Sequence, residues 1–165
     1  MDELLDIIDQ NDKVIGQKLR SQIYNQNLSN FRVVNAFLIN DNGELWIPRR
    51  SKDKDMFPLC LDTSMGGHVA SGETYDEAFR RELMEELNID ANTIAYEHIS
   101  TFNPHQHNMS AFMQVYLIRT NKSPNFNTDD FIEYLWLAPQ KLIKRLEDNS
   151  DKAKSDLLKL VKILF

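Results

Sequence analysis

Three carboxylates fall close together in "RRELMEELNI", residues 80–89: Glu82, Glu85 and Glu86. At about 100° per residue, Phe79, Leu83 and Leu87 form one stripe of a helix, and the three glutamates form a second stripe beside it. Ala78 is expected among them, leaving room above the carboxylates. Like charges at these spacings cost a few tenths of a kcal/mol per pair in water, roughly. Pairs at i, i+4 between Glu77 and Arg81 and between Arg81 and Glu85 would offset some of that cost. A divalent cation would offset far more, because hard cations take several oxygen ligands and magnesium commonly joins one or two carboxylates to a substrate phosphate. The expected chemistry is metal-assisted work on a diphosphate. A run such as "ELMEE" is also the ordinary pattern of a solvated acidic face, so the surrounding elements have to decide.

The helix is expected over Tyr75–Leu87. Thr74 and Glu77 have the spacing of a capping box, in which each satisfies the other's backbone amide. Upstream, "ELLDIID" and "KVIG" read as a strand and its return across "QND", and "QKLRSQIYNQ" as a short helix. "FRVVNAFLIN" is rich in apolar and β-branched residues and fits a buried strand. "DNG" (Asp41–Gly43) turns the chain, and "ELWIPRR" returns as the second arm of a hairpin. "LDTSMGGHVASGE" reads as a strand fragment entering a loop. Further strands are expected in "TIAYEHISTF", "AFMQVYLIR" and "IEYLWL", and the tail "DKAKSDLLKLVKILF" carries apolar residues at helical spacing. Short strands mixed with a few helices imply an α/β fold, a mixed sheet with helices on its faces.

The chain has 165 residues, 42% of them hydrophobic, which suits one domain over residues 1–165 with its own core. Lys and Arg number 19 against 25 Asp and Glu, a net charge of −6. That balance argues against general nucleic-acid or membrane-surface binding, since both reward excess positive charge. A small anion remains a suitable partner when cations mediate the contact. One cysteine, Cys60, excludes an intrachain disulfide and a CxxC metal knuckle. "MDELLDIIDQNDK" has neither the basic start nor the apolar run of a signal peptide. No apolar stretch reaches the roughly 20 residues that span a bilayer. The expected compartment is the cytoplasm.

Gly67, Glu73, Arg81-Glu82, Leu83, Glu85-Glu86 and Ile89 together resemble the Nudix box, G-x5-E-x7-R-E-U-x-E-E-x-G-U with U apolar. The match covers 23 residues and eight of nine defined positions; Asn88 replaces the second glycine. Asn is the next best residue for a left-handed helix terminus, so the departure is mild. "LDIIDQNDKVIG", "NDNGELWIPRR" and "FPLCLDTSMGGHV" are more loosely similar to the Nudix subgroup that includes isopentenyl diphosphate isomerase.

The resemblance implies an α/β/α sandwich on a mixed sheet. It implies hydrolysis of a nucleoside diphosphate derivative or related organic diphosphate with Mg²⁺ or Mn²⁺, and commonly a homodimer. Glu82, Glu85 and Glu86 would be the catalytic carboxylates and metal ligands, with the carbonyl of Gly67 a further ligand. Glu73 and Arg81 would orient the carboxylates from behind. Glu82 is the candidate base for activating water; Asp130 and Glu133 are others. Arg49 and Arg50 end a strand facing the loop and are candidates to hold phosphate, and His68 to touch substrate.

An isomerase of this subgroup needs a cysteine near Gly66, two histidine ligands where Tyr24 and Phe31 stand, and acids where Met109 and Ala111 stand. All are absent, and Cys60 lies too early to replace the cysteine. The remaining alternative is a Nudix module that binds a nucleotide without chemistry; the intact carboxylates argue against it. His98, His105 and His107 lack a third ligand nearby and read as ordinary strand and loop residues. Phe57, Phe102 and Trp46 could stack a base or fill the core.

Overall fold

The computed structural model describes residues 2–165. β1 (Leu4–Ile8) and β2 (Val14–Leu19) form an antiparallel ribbon that runs into a short helix, α1 (Arg20–Asn25). Then follow β3 (Arg32–Ile39), β4 (Leu45–Arg50), β5 (Met65–His68) and α2 (Tyr75–Leu87). A 3-10 turn at Ala91–Thr93 leads to β6 (Tyr96–Phe102), α3 (Pro104–His107), β7 (Phe112–Arg119) and β8 (Phe131–Leu137). Two helices close the chain, α4 (Pro139–Glu147) and α5 (Leu157–Leu164). The main sheet has the order β6-β7-β3-β4-β8, with β5 paired to the first half of β3. β3 and β7 run parallel and the other pairs antiparallel, so the sheet is mixed as expected.

Strand alternation explains the layers. Val34, Ala36 and Leu38 of β3 share an apolar cluster with Phe79, Leu83 and Leu87 of α2. Phe37 and, across the sheet, Val115 and Leu117 pack with Leu142 of α4 and Leu157, Leu160 and Val161 of α5. Each fully buried side chain of this size contributes about 1.5–3 kcal/mol, which makes the two faces the main source of stability. The result is the expected α/β/α sandwich.

Several elements differ from expectation. Gln17–Leu19 belong to β2 rather than to a helix, because they pair with β1 through Leu5↔Lys18 and Leu4↔Leu19. The β3–β4 hairpin closes at Ile39↔Leu45, with Gly43 at φ +72°, and then splays. Ser64 is the wedge: its Oγ accepts from the amide of Leu38 at 2.8 Å and donates to the carbonyl of Trp46 at 2.6 Å. β5 therefore takes the place beside β3 and carries Gly66 and Gly67 there. Finally, α3 stands where His105 and His107 are expected in a loop, and α4 is an additional helix; Pro104 and Pro139 at their first turns are the local signals for them. Among the described residues, no helix is long and apolar enough to cross a membrane.

Candidate functional site

α2 is fixed at both ends by local chemistry. Thr74 Oγ1 accepts from the Glu77 amide at 3.3 Å, and Glu77 Oε2 accepts from the Thr74 amide at 2.8 Å. Asn88 ends the helix at φ 53° in the left-handed region. Phe79, Leu83 and Leu87 face the core. Ala78 does so too, and does not stand over the carboxylates as expected: it sits at the core edge of the apolar stripe. Glu77 is occupied by the cap, so the expected Glu77–Arg81 pair does not form.

Arg81 is the centre of the charged face. It donates to both carboxylate oxygens of Glu73 at 2.7 and 2.9 Å, to the His68 carbonyl at 3.0 Å, to Glu82 at 2.8 Å and to Glu85 at 3.3 Å. The five bonds match the five N–H donors of a guanidinium. Glu73 also accepts from the Ala70 amide at 2.9 Å, so the loop before α2 is tied to the helix through one cation. Arg81 holds the Glu73 carboxyl below its ordinary range.

Glu82 and Glu86, one turn apart, are only 8% and 6% exposed. Burial pushes the Glu82 carboxyl upward, against the pull of Arg81. Glu86 is pushed up to about 8, first by burial and then by the charge of Glu82. Its side-chain partner is the Gly66 amide at 3.0 Å. Glu85 is turned outward, 57% exposed at its side chain. Among the described residues no three His, Cys, Asp or Glu side chains converge closely enough to hold a metal ion as they stand: Glu82 is drawn to Arg81 and Glu86 to the Gly66 amide.

The glycines of β5 let these carboxylates reach the sheet. A Cβ on Gly67 would lie 2.0 Å from the Glu82 carboxylate, and one on Gly66 would lie 2.7 Å from Asn35 Oδ1. Both glycines, with Glu82, Glu85 and Glu86, line a cavity of about 650 Å³. It lies on the α5 side of β3, bounded by α1 and by the loop after β4.

His68 also lines this cavity. It meets Tyr24 Oη at 2.9 Å through Nε2 and Glu3 Oε2 at 3.3 Å through Nδ1, and burial holds its pKa down. Arg50 is there as well, but its fork is committed to Asp62 at 2.8 Å and to the carbonyls of Met56 and Phe57 at 3.0–3.2 Å. Phe57 is held at φ 51° and also lines the cavity. Arg49 does not belong to the wall: it grips Asp151 with both terminal nitrogens at 2.7 and 2.8 Å and also pairs with Glu133. Asp130 reaches the cavity bonded to Lys54. Phe102 and Trp46 are core residues. Tyr24 and Phe31 are in the wall, whereas Met109 and Ala111 are packed in the apolar interior. Cys60 is a buried thiol that desolvation pushes up. His98, His105 and His107 lie off the cavity wall, and His107 accepts from the Asn103 amide at 3.1 Å.

Sequence reasoning missed Asp62, Lys154 and Asn35. Lys154 arrives from the segment before α5, which is pinned to Leu61 by backbone bonds of 2.8 and 2.9 Å. Its ammonium lies 3.2 Å from Asp62, which Arg50 also holds. No local pattern announces that meeting. Asn35 did leave a signal, a lone carboxamide within "VVNAFLI".

A family model described as the NUDIX domain matches residues 29–159. The chain belongs to the Nudix family. It is 55% identical over 163 residues to an uncharacterized Nudix hydrolase of Nostoc sp., covering 99% of this chain and 96% of the relative. The crystal structure of DR0079 from Deinococcus radiodurans superposes with a TM-score of 0.93 at 45% identity and covers 99% of each chain. An isopentenyl-diphosphate Delta-isomerase of Paenarthrobacter aurescens is 26% identical, covering 88% of this chain and 81% of that one. This Nudix hydrolase is thus an enzyme of a family that generally uses divalent metals and acts on small molecules.

Proposed function

We propose that this Nudix hydrolase cleaves the diphosphate linkage of a nucleoside diphosphate derivative or related organic diphosphate by attack of water on phosphorus. The observation that carries this reading is the pair of buried carboxylates, Glu82 and Glu86, at one edge of the cavity. Two such groups have a single amide and one guanidinium between them, which leaves most of their lone pairs unused. Ionising them there without a partner is costly, which is why burial raises both; a cation would relieve that cost and favour the ionised pair. The donors are all oxygen, as Mg²⁺ or Mn²⁺ prefer, and Gly67 keeps clear the space that a side chain would fill.

Glu82, Glu85, Glu86 and the Gly67 carbonyl would hold the ion. When bound, a divalent cation there neutralises phosphate oxygens and lowers the pKa of water. Glu82, whose burial favours proton uptake, takes the proton from the attacking water. Arg81 and Glu73 hold Glu82 in place as it does so. Of the two arginines, Arg50 remains as part of the phosphate end, acting through Asp62 and beside Lys154, whose ammonium is the more available charge. His68 shapes the wall next to the box glycine. On this reading the enzyme is one domain over residues 1–165 and works in the cytoplasm.

The test is a panel of nucleotide sugars, dinucleotides, nucleoside di- and triphosphates and diphosphate-bearing cofactors, each with Mg²⁺ or Mn²⁺. Turnover abolished by Glu86→Gln in a folded protein supports the reading. Binding with no product from any compound supports a nucleotide-binding module instead.

A further inference from the structure

The family match begins at residue 29, and the ribbon of β1 and β2 precedes it. Yet the ribbon is bonded along the box loop, residues 68–73. Glu3 Oε2 lies 3.3 Å from His68 Nδ1. Leu5 and Ala70 form an antiparallel bridge, and the Leu4 carbonyl accepts from the Ser71 amide at 2.9 Å. Asp6 closes the junction. Its carboxylate accepts from Ser71 Oγ at 2.7 Å and from the Gly72 amide at 3.1 Å. Ser71 Oγ in turn accepts from Gln17 Nε2 at 2.6 Å, so both strands of the ribbon hold this one hydroxyl.

Asp6 is an unusual residue for its place. β1 reads Leu-Leu-Asp-Ile-Ile, and Asp6 is only 7% exposed among the buried Leu5, Ile7 and Ile8. Aspartate is poor in strands, and burying a carboxylate is costly unless it is well bonded. The bonds it makes lead toward the site. Gly72 turns the chain at φ +83° and is followed by Glu73. Glu73 is locked to the same loop, since its carboxylate accepts from the Ala70 amide and its own amide donates to the Ala70 carbonyl. Glu73 grips the Arg81 fork, and Arg81 donates to Glu82 at 2.8 Å. One bonded path therefore runs from Asp6 through Ser71 and Gly72 to Glu73, Arg81 and Glu82.

We infer that the N-terminal ribbon is a working part of the site and that Asp6 is a positioning residue: by fixing Ser71 and Gly72 it sets where Glu73 and Arg81 hold the Glu82 carboxylate. This rests on the metal-dependent hydrolase reading above. It extends the support of the carboxylates from the box itself to an element some 65 residues away in sequence.

The experiment uses the full chain carrying Asp6→Asn and Ser71→Ala, singly and together. Asparagine keeps the size and one acceptor oxygen but turns an NH₂ group toward the second partner. Ser71→Ala cuts the same link from the loop side, and it carries the test if Asp6→Asn does not fold. Mn²⁺ is titrated calorimetrically into each protein, and amide hydrogen exchange in residues 68–73 is followed without metal. Values of kcat and KM are measured on whichever compound of the panel above the wild type hydrolyses. Asp6→Asn is expected to bind Mn²⁺ about threefold to tenfold more weakly, a smaller loss than for a residue that touches a ligand directly. Loop exchange should quicken and kcat should fall by a similar factor, with KM within about twofold of wild type. Ser71→Ala should show the same changes more weakly. The double variant should lose no more than Asp6→Asn alone, because both cut one link. Unchanged Mn²⁺ affinity in both single variants, or losses that simply add in the double variant, would overturn the inference and leave Asp6 an anchor of the ribbon. A wild type that binds Mn²⁺ but hydrolyses nothing defeats the hydrolase reading on those compounds, while the Mn²⁺ series still decides the role of Asp6. A wild type that binds no Mn²⁺ defeats both.

Discussion

Gly67 and Glu82 occupy adjoining space: a methyl group on the glycine would lie 2.0 Å from the carboxylate carbon. No rotamer of alanine relieves such an overlap, because Cβ has no freedom to move. Gly67→Ala must displace Glu82 or push β5 off α2. The atoms met are the far end of the flexible Glu82 side chain, so the carboxylate moves aside at small cost in stability and the change falls on its position. A displacement near 1 Å at a reacting centre costs about 100-fold in rate. The expected outcome is a protein that melts close to wild type with kcat reduced about that much; normal kcat would show that the glycine is not needed there.

Glu86 gives the pH dependence its sign. Its folded pKa of about 8 lies above the ordinary value of 4.5. Between those two values the folded chain holds a proton that the unfolded chain has released. Stability therefore falls as pH rises through this window, in the absence of divalent cations. Glu86→Gln removes the effect, so the metal-free variant should be more stable than wild type at pH 8–9, with the advantage gone near pH 4–5. Urea titration across that range measures it. Added Mg²⁺ or Mn²⁺ should stabilise the wild type more than the variant.

Arg81 is a fork, and its geometry is specific. Lysine offers one compact ammonium and cannot replace the paired bonds to Glu73 together with those to Glu82 and the His68 carbonyl. Arg81→Lys is expected to lower activity or metal affinity about 10–100-fold, with circular dichroism unchanged. Retained activity would mean that Glu82 is oriented by something else.

Arg49 and Arg50 are neighbours in sequence with opposite expectations. Arg49→Ala leaves Asp151 without its bidentate partner and should cost about 1–3 kcal/mol of stability, with kcat and KM within about twofold of wild type. Arg50→Ala removes a buried partner of Asp62 and frees the carbonyls of Met56 and Phe57. It should cost about 3 kcal/mol and also raise KM, since the loop it anchors forms part of the cavity wall. Denaturant melts and steady-state kinetics on the two variants separate the cases.

Much of this enzyme was legible in the sequence because it is local. The box is 23 residues of one loop and one helix, and its cap at Thr74, its apolar stripe and its left-handed end at Asn88 all follow from spacing. The mixed sheet and its helices follow from periodicity. Where local reading failed, long-range pairing decided: Gln17–Leu19 became strand because β1 lay alongside, and Arg81 abandoned Glu77 for Glu73, eight residues away.

The sequence by itself determined the family, the acidic helix and the glycines before it, since those depend on residue type at fixed spacing. Only the tertiary structure decided which of two adjacent arginines reaches the cavity and that Lys154 meets Asp62 across the chain. The physical reason is burial. Solvent access and partner identity are set by elements distant in sequence, and they alone turn a glutamate of ordinary acidity into one that holds its proton up to about pH 8.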